Sequence, residues 1–308
     1  GLAVERQPYS CPAWHCEEAS LTADGSVLDV LVNPYSPSCD VSAPFAALAT
    51  LAELENADLS GKIAILYGDL TRAPLSCKSW FLKEERDDRI IGLLESKKPL
   101  AILTVQLNPH SINRIIEDWE FLMPSATLPA ESARQIFNQM PQKLHLRLQT
   151  TNRPGSAANI IGRRAGKRAE TLVLCAHFDS KINTPGACDN AAGVAALLGL
   201  AEHLNTLPLE TGLEFIAMNN EEYLPIGDDT YLKMVGEEHL NDVLLMINYD
   251  GLGHLLDTNT LAIFTSSPAF QEQVVQISRS FPAVQWVDPW PESNHSTFSW
   301  RGVPALAF

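Results

Sequence analysis

Three features of the sequence predict an α/β fold built on a doubly wound, mostly parallel sheet. Short apolar runs without polar alternation recur through the second half of the chain, helix-patterned stretches separate several of them, and ionisable residues gather at the C-terminal ends of the runs. An unbroken apolar run suits a strand covered on both faces, as in a parallel sheet. Strands alternating with helices place such a sheet in the α/β class. In open sheets of this kind, ligand sites form beyond the carboxyl ends of the strands.

At 308 residues the chain is better divided into two domains than treated as one. Residues 1–26 read as an irregular segment, expected to pack on the domain formed by residues 146–308. The pattern then changes, giving a strand over 27–32, a helix over 46–55 and a buried strand over 61–67. A helix is expected over 84–97, where Ile90, Ile91, Leu93 and Leu94 stand among charges, followed by a strand over 99–105. Residues 127–136 read as a strand end, a turn and a capped helix start. These elements define a smaller α/β domain over 27–145. The larger domain, 146–308, contains strands at 157–164, 171–178, 212–219, 242–250, 260–265 and 303–308. Its most distinctive helix, 190–204, is apolar almost all round and is expected to be buried.

Composition narrows the function classes. Against 22 Lys and Arg stand 37 Asp and Glu, a formal charge of -15 that argues against nucleic acid or an anionic membrane as partner. No apolar run reaches the roughly 18 residues of a membrane span, and no basic-then-apolar leader opens the chain. Six cysteines are too few for a disulfide scaffold, and Cys175 and Cys188 sit where pairing is unfavourable. A cytoplasmic protein is therefore expected, with a secreted mature form as the alternative. Cys11 and Cys16 resemble half a zinc site without a second half, so a local disulfide or two unrelated thiols is the better reading.

The chemistry concentrates at the strand ends. His177 and Asp179 end the 171–178 strand, Glu221 and Glu222 follow the 212–219 strand, Asp250 closes the 242–250 strand, and Asp189 with Asn190 opens the 190–204 helix. Each has a structural explanation alone: a strand-end turn, a helix cap, or a solvated acidic pair. Their common position outweighs those separate explanations. Carboxylates packed together must hold protons or share a cation, and imidazole with carboxylate oxygens favours Zn or Mn, as a pair for this many ligands.

Four segments now carry a family resemblance. His177-Phe178-Asp179-Ser180, Pro185 through Gly193, Asn220-Glu221-Glu222-Tyr223 and Ile247 through Gly251 resemble, in order and spacing, the motifs of the M28 family of di-zinc aminopeptidases. Residues 27–145, with Leu59 through Leu66 and Leu128-Pro129-Ala130-Glu131, look like a protease-associated domain. The resemblance implies Asp189 as a bridge between two zinc ions, His177 and Asp250 on one metal and Glu222 on the other. It implies Glu221 as the general base for a metal-activated water, and Asp179 as the acceptor that fixes the His177 tautomer. Asn190 and His295 are implied as supporting residues. The expected reaction removes the N-terminal residue of peptides with a free N-terminus.

Three departures from the family pattern stand out. The family's remaining zinc ligand is a histidine in a His-Thr motif beyond a segment like 301–308, and this sequence stops at Phe308, so a continuation of the chain is expected. In Ser293-Asn294-His295, Asn294 stands where the family has aspartate. After Glu221-Glu222-Tyr223, Pro225 and Asp228 stand where glycine and serine are more usual. The competing readings are a glutaminyl-cyclase-like acyltransferase using one metal, and a catalytically degenerate binding protein. Loops 224–230 and 284–297 are expected to shape substrate entry, with Trp286 and Trp290 as either pocket or packing residues. Nothing in the sequence fixes an oligomeric state.

Overall fold

The computed structural model describes all residues except 81, 82, 109, 110, 112, 224, 256 and 257. Two compact units emerge, one formed by Pro12–Gly155 and the other by Gly1–Cys11 with Ser156–Phe308. The first unit includes residues 12–26 and 146–155, outside the 27–145 range expected from sequence. Two 21-residue strands, β1 (Ala3–Ala23) and β9 (Leu144–Arg164), contain the division points. The first of these corrects the expectation of an irregular start. Most of its residues are exposed or partly buried, with Leu21 and Ala23 reaching a core only at its end, and Pro8 and Pro12 obscure the pattern, so strand pairing organises most of its length. Cys11 and Cys16 lie five residues apart along this extended strand as free thiols, which removes the local-disulfide reading.

The Pro12–Gly155 unit also contains β2 (Ser26–Leu28), β3 (Leu31–Val32), β4 (Cys39–Ala43), β5 (Phe45–Leu48), β6 (Ile63–Leu66), β7 (Ala101–Gln106) and β8 (Ser125–Pro129). Among the described residues, five of these strands form a sheet in the order β3-β8-β7-β6-β5, parallel throughout except at β3. Helices α1 (Leu51–Asn56), α2 (Glu85–Lys97) and α3 (Ala130–Gln139) accompany it. Alternate strand residues serve two cores: Ile63, Ile65 and Leu103 with Ile136, and Ala64, Leu66 and Ile102 with Ile90 and Leu94. The expected helix over 46–55 is instead strand β5 followed by α1. Thr50 accepts from the Glu53 amide while the Glu53 carboxylate accepts from the Thr50 amide, and this reciprocal cap sets the true start.

In the other unit the strands are β10 (Thr171–His177), β11 (Gly212–Met218), β12 (Val243–Asn248), β13 (Asn259–Phe264), β14 (Val284–Trp286) and β15 (Ala305–Ala307). They run in the order β14-β13-β15-β12-β10-β11-β9, with β15, β12, β10 and β11 mutually parallel. Val173 and Cys175 face a core completed by Tyr231 of α5 (Ile226–Val235), Leu240 of α6 (Glu237–Leu240) and Phe298 of α8 (His295–Ser299). Leu174 and Ala176 face Leu197 of α4 (Gly193–Leu204), and Leu306 meets Val274 of α7 (Pro268–Ser278). Helices thus cover both faces, the doubly wound arrangement expected. The α4 helix is buried along one side only: Leu198 is 65% exposed, contrary to the expectation of burial all round. No described helix is long and apolar enough to cross a membrane.

Candidate metal centre

The strand order reverses around β10: the chain passes through α4 to β11 on one side, then crosses to β12 on the other. A crevice opens at such a switch point, beyond the carboxyl ends of the strands. His177 ends β10, and Asp250 follows β12, so adjacent strands deliver both side chains to it. Asp189 arrives from the turn Ala187–Ala192 that leads into α4. There Asn190 is buried, donates to the Tyr249 carbonyl at 2.8 Å and accepts from the Gly193 amide at 3.1 Å. Gly193 is required because a Cβ would stand 2.2 Å from Asn190 Oδ1 and 2.4 Å from the Tyr249 carbonyl.

Nε2 of His177 lies 3.1 Å from Asp189 Oδ1 and 3.2 Å from Asp250 Oδ1, and the three potential ligand atoms all lie within 4.8 Å of one another. Donors bound to zinc at about 2.0–2.2 Å in tetrahedral geometry stand roughly 3.3–3.6 Å apart. The separations from His177 are only slightly shorter, so this donor set fits a zinc ion after a small expansion. Burial opposes a charge on His177, but Asp179, Asp189 and Asp250 hold it well above the usual histidine range. Nε2 faces both aspartates, where a proton or a cation would offset their charge. Burial works to raise Asp250, yet His177 and the Ser293 hydroxyl, 2.6 Å from Oδ2, hold it below the usual carboxylate range.

Asp179 differs from its expected role. It is the backbone carbonyl of Asp179 that accepts from His177 Nδ1, at 3.2 Å, while the carboxylate is 3.7 Å away. That carboxylate instead accepts the successive amides of Glu221 and Glu222, each at 3.1 Å. Asn220 before them adopts a left-handed φ of 64°, a conformation asparagine tolerates better than most residues. Oε2 of Glu221 lies 4.0 Å from His177 Nε2. Burial, then Asp250, Asp179 and Glu222 against the opposing His177, push Glu221 up to about 8. Glu222 is pushed up to about 7 by burial and by Asp189, while its Oε1 accepts the Lys181 amide at 3.0 Å. Glu222 is not part of the His177, Asp189 and Asp250 group, the only candidate metal group among the described residues.

His295 is fully buried, donates from Nε2 to the Trp290 carbonyl at 2.9 Å and packs its ring 4.2 Å from that of Phe264. It lies outside the candidate group. Trp290 packs edge-on against His295 and Phe264, and Trp286 donates to Ser278. Within the expected entry loop 224–230, residue 224 lies outside the described residues.

Sequence reasoning missed three contributors. Ser293 binds Asp250, and a serine two residues before a singled-out histidine was a usable signal. Tyr223 accepts the Ile182 amide at 2.9 Å, tying the loop after β10 to that after β11. Tyr9 donates to the Asn219 carbonyl at 3.0 Å, from a segment with no signal of its own.

Comparison with known proteins gives a consistent picture. Residues 159–308 match the family model described as Peptidase family M28. The chain is 26% identical over 201 residues to aminopeptidase YwaD of Bacillus subtilis, an alignment covering 64% of this chain and 41% of the relative. It is 23% identical over 329 residues to a probable leucine aminopeptidase 2 of Aspergillus fumigatus, covering 98% and 62%. The solved structure of a zinc aminopeptidase from Bacillus subtilis superimposes with a TM-score of 0.76 at 21% identity, covering 100% of this chain and 74% of that one. This last likeness establishes the fold. The chain spans about half the length of the curated relatives it matches.

Proposed function

We propose that the chain, whose residues 159–308 match the model of peptidase family M28, is a zinc-dependent aminopeptidase acting on peptides with a free N-terminus. The observation that carries the reading is the triad of His177 Nε2, Asp189 Oδ1 and Asp250 Oδ1 at zinc-compatible spacing, with Glu221 beside it. When bound there, zinc supplies a Lewis acid that lowers the pKa of water and polarises the scissile carbonyl. His177 offers Nε2 as ligand because its Nδ1–H is committed to the Asp179 carbonyl, which fixes the ring and its tautomer. Glu221, with its carboxyl raised by burial, takes a proton from the attacking water and hands it to the leaving amine nitrogen. Asp179 holds the backbone from which both glutamates project.

We assign two zinc ions to the centre. Asp189, half exposed, would be shared between the two ions, and Glu222, whose Oε1 accepts the Lys181 amide, would hold the second. The Pro12–Gly155 unit is read as a protease-associated-like domain, on its four-strand parallel core and the resemblance of residues 59–66 and 128–131.

Hydrolysis of aminoacyl amides by the full chain, before and after chelation and with zinc restored, tests the reading. Zinc-restored activity that Glu221→Gln abolishes is the expected result. A zinc-loaded protein that hydrolyses no free N-terminus would overturn it, and cyclisation of N-terminal glutamine in place of hydrolysis would assign an acyltransferase instead.

A further inference from the structure

The two sequence departures at 228 and 294 meet in one contact. Asp228, in the first turn of α5, is 8% exposed, and Asn294 at the edge of α8 is 2% exposed. Nδ2 of Asn294 donates to both Asp228 oxygens, at 3.2 and 3.0 Å, and the Thr297 hydroxyl donates to Oδ1 at 2.6 Å. One buried carboxylate therefore gathers both ends of the segment 294–297. Directly before that segment stands Ser293, held at a left-handed φ of 74°. Its hydroxyl accepts from Asn248 Nδ2 at 2.8 Å and donates to Asp250 Oδ2 at 2.6 Å. The other oxygen of Asp250 faces His177.

The same helix turn touches a second part of the centre. A Cβ at Gly227 would stand 1.9 Å from the Asn219 carbonyl, so the start of α5 lies directly against the strand end that leads to Glu221. Asn159 joins them, donating to the Gly227 carbonyl at 2.8 Å and accepting from the Asn219 amide at 3.2 Å.

We propose that Asp228 is a positioning residue for the metal centre, anchoring the 293–297 segment so that the Ser293 hydroxyl stays on Asp250. Asp228 touches neither substrate nor metal. It acts through Asn294 and Ser293, and it sets the other oxygen of Asp250 towards His177. The inference rests on Asp250 being a zinc ligand. The arrangement also has a direction: a carboxylate accepts at 228 and an amide donates at 294. Exchanging the two groups preserves the hydrogen bond with its polarity reversed, because Thr297 can donate to an amide oxygen as readily. Placing aspartate at both positions puts two buried carboxylates about 3 Å apart, an arrangement strongly disfavoured without a shared proton or cation.

The test measures zinc affinity of the full chain by competition with a chromogenic chelator, alongside kcat and KM for an aminoacyl amide. N294D is expected to weaken zinc binding about 10- to 100-fold, in the range usual for partners that orient a metal ligand, and to lower kcat with little change in KM. D228N/N294D should return both to within about 3-fold of wild type. S293A should match N294D in zinc affinity, and S293A/N294D should be no worse than either alone. Should N294D fail to fold, D228A serves, with the same expected loss of affinity and the same non-additivity with S293A. Zinc affinity unchanged in N294D or D228A while only the melting temperature falls would reduce Asp228 to a packing residue and overturn the proposal. So would additive losses with S293A, or an exchange variant no better than N294D. Wild-type protein that binds zinc but hydrolyses nothing would overturn the peptidase reading alone.

Discussion

The two units each bury carboxylates near parallel strands, yet handle them in opposite ways. In the Pro12–Gly155 unit, Asp87 accepts from the Ser76 amide and hydroxyl and from Arg86, and Asp118 accepts the amides of Lys78 and Glu120. Each acid is locally satisfied and ties a loop in place. In the other unit, half-exposed Asp189 and partly buried Asp250 converge on one imidazole, and partly buried Glu221 stands beside them with its carboxyl pushed above the usual range. The difference teaches that burial alone does not mark a functional acid. What marks it is a shortage of local donors, which leaves the cluster dependent on a proton or a metal ion.

The sharpest break of this contrast is Glu221→Gln, expected to lower kcat by about 10²–10⁴-fold, the usual contribution of a positioned base. Zinc binding and melting temperature should stay near wild type, since Glu221 is not in the candidate ligand group. An activity loss matched by lost zinc would make Glu221 a ligand instead.

Zinc itself should separate the units next. Zinc at 100 times its dissociation constant stabilises a protein by about 2.7 kcal/mol, and Asp189→Asn should remove most of that gain. The effect depends on pH with a definite sign. Glu221 and Glu222 titrate higher in the folded protein than the usual value of 4.5, and His177 is also raised. Each therefore favours the protonated folded form, and for the glutamates that stability is lost progressively as pH rises from the usual value of 4.5 through about 7 to 8. Metal-free protein should melt lower at pH 8.5 than at pH 5.5, whereas zinc, competing with the His177 proton, should bind more tightly at the higher pH. A metal-free melting temperature that rises over this range would contradict the assignment.

In the Pro12–Gly155 unit, Asp118→Ala should cost about 1–3 kcal/mol, the penalty for stranding buried partners, measured by denaturant unfolding, with zinc affinity unchanged. Thr50→Ala, which removes one half of the α1 cap, should cost about 1 kcal/mol or less by the same measurement.

How much of this was legible depended on whether the information was local. The parallel strands of the larger unit were readable because burial on both faces leaves unbroken apolar runs, as in Thr171–His177. The convergence of His177, Asp189 and Asp250 was readable because strand ends meet where the sheet reverses. By contrast, β1 is defined by its pairing partners, and nothing in its mixed polar sequence announces them. The Phe45 to Asn56 stretch was misread because Ala, Leu and Glu favour helix throughout. Its cap signal, Thr50 with Glu53, was in plain view. The burial of α4 was overestimated because apolar composition shows what a helix could bury, not how many neighbours reach it. The role of Asp179 needed coordinates, since no spacing distinguishes a carboxylate facing an imidazole from one facing two amides.

That last feature has a consequence for how the centre tolerates damage. A single carboxylate fastens two consecutive peptide units, so Glu221 and Glu222 share one mooring. Drift at Asp179 would carry both together and leave their mutual spacing intact. Lesions there should resemble the simultaneous loss of two functions, giving a protein that fails all at once where damage elsewhere in the centre would fail by degrees.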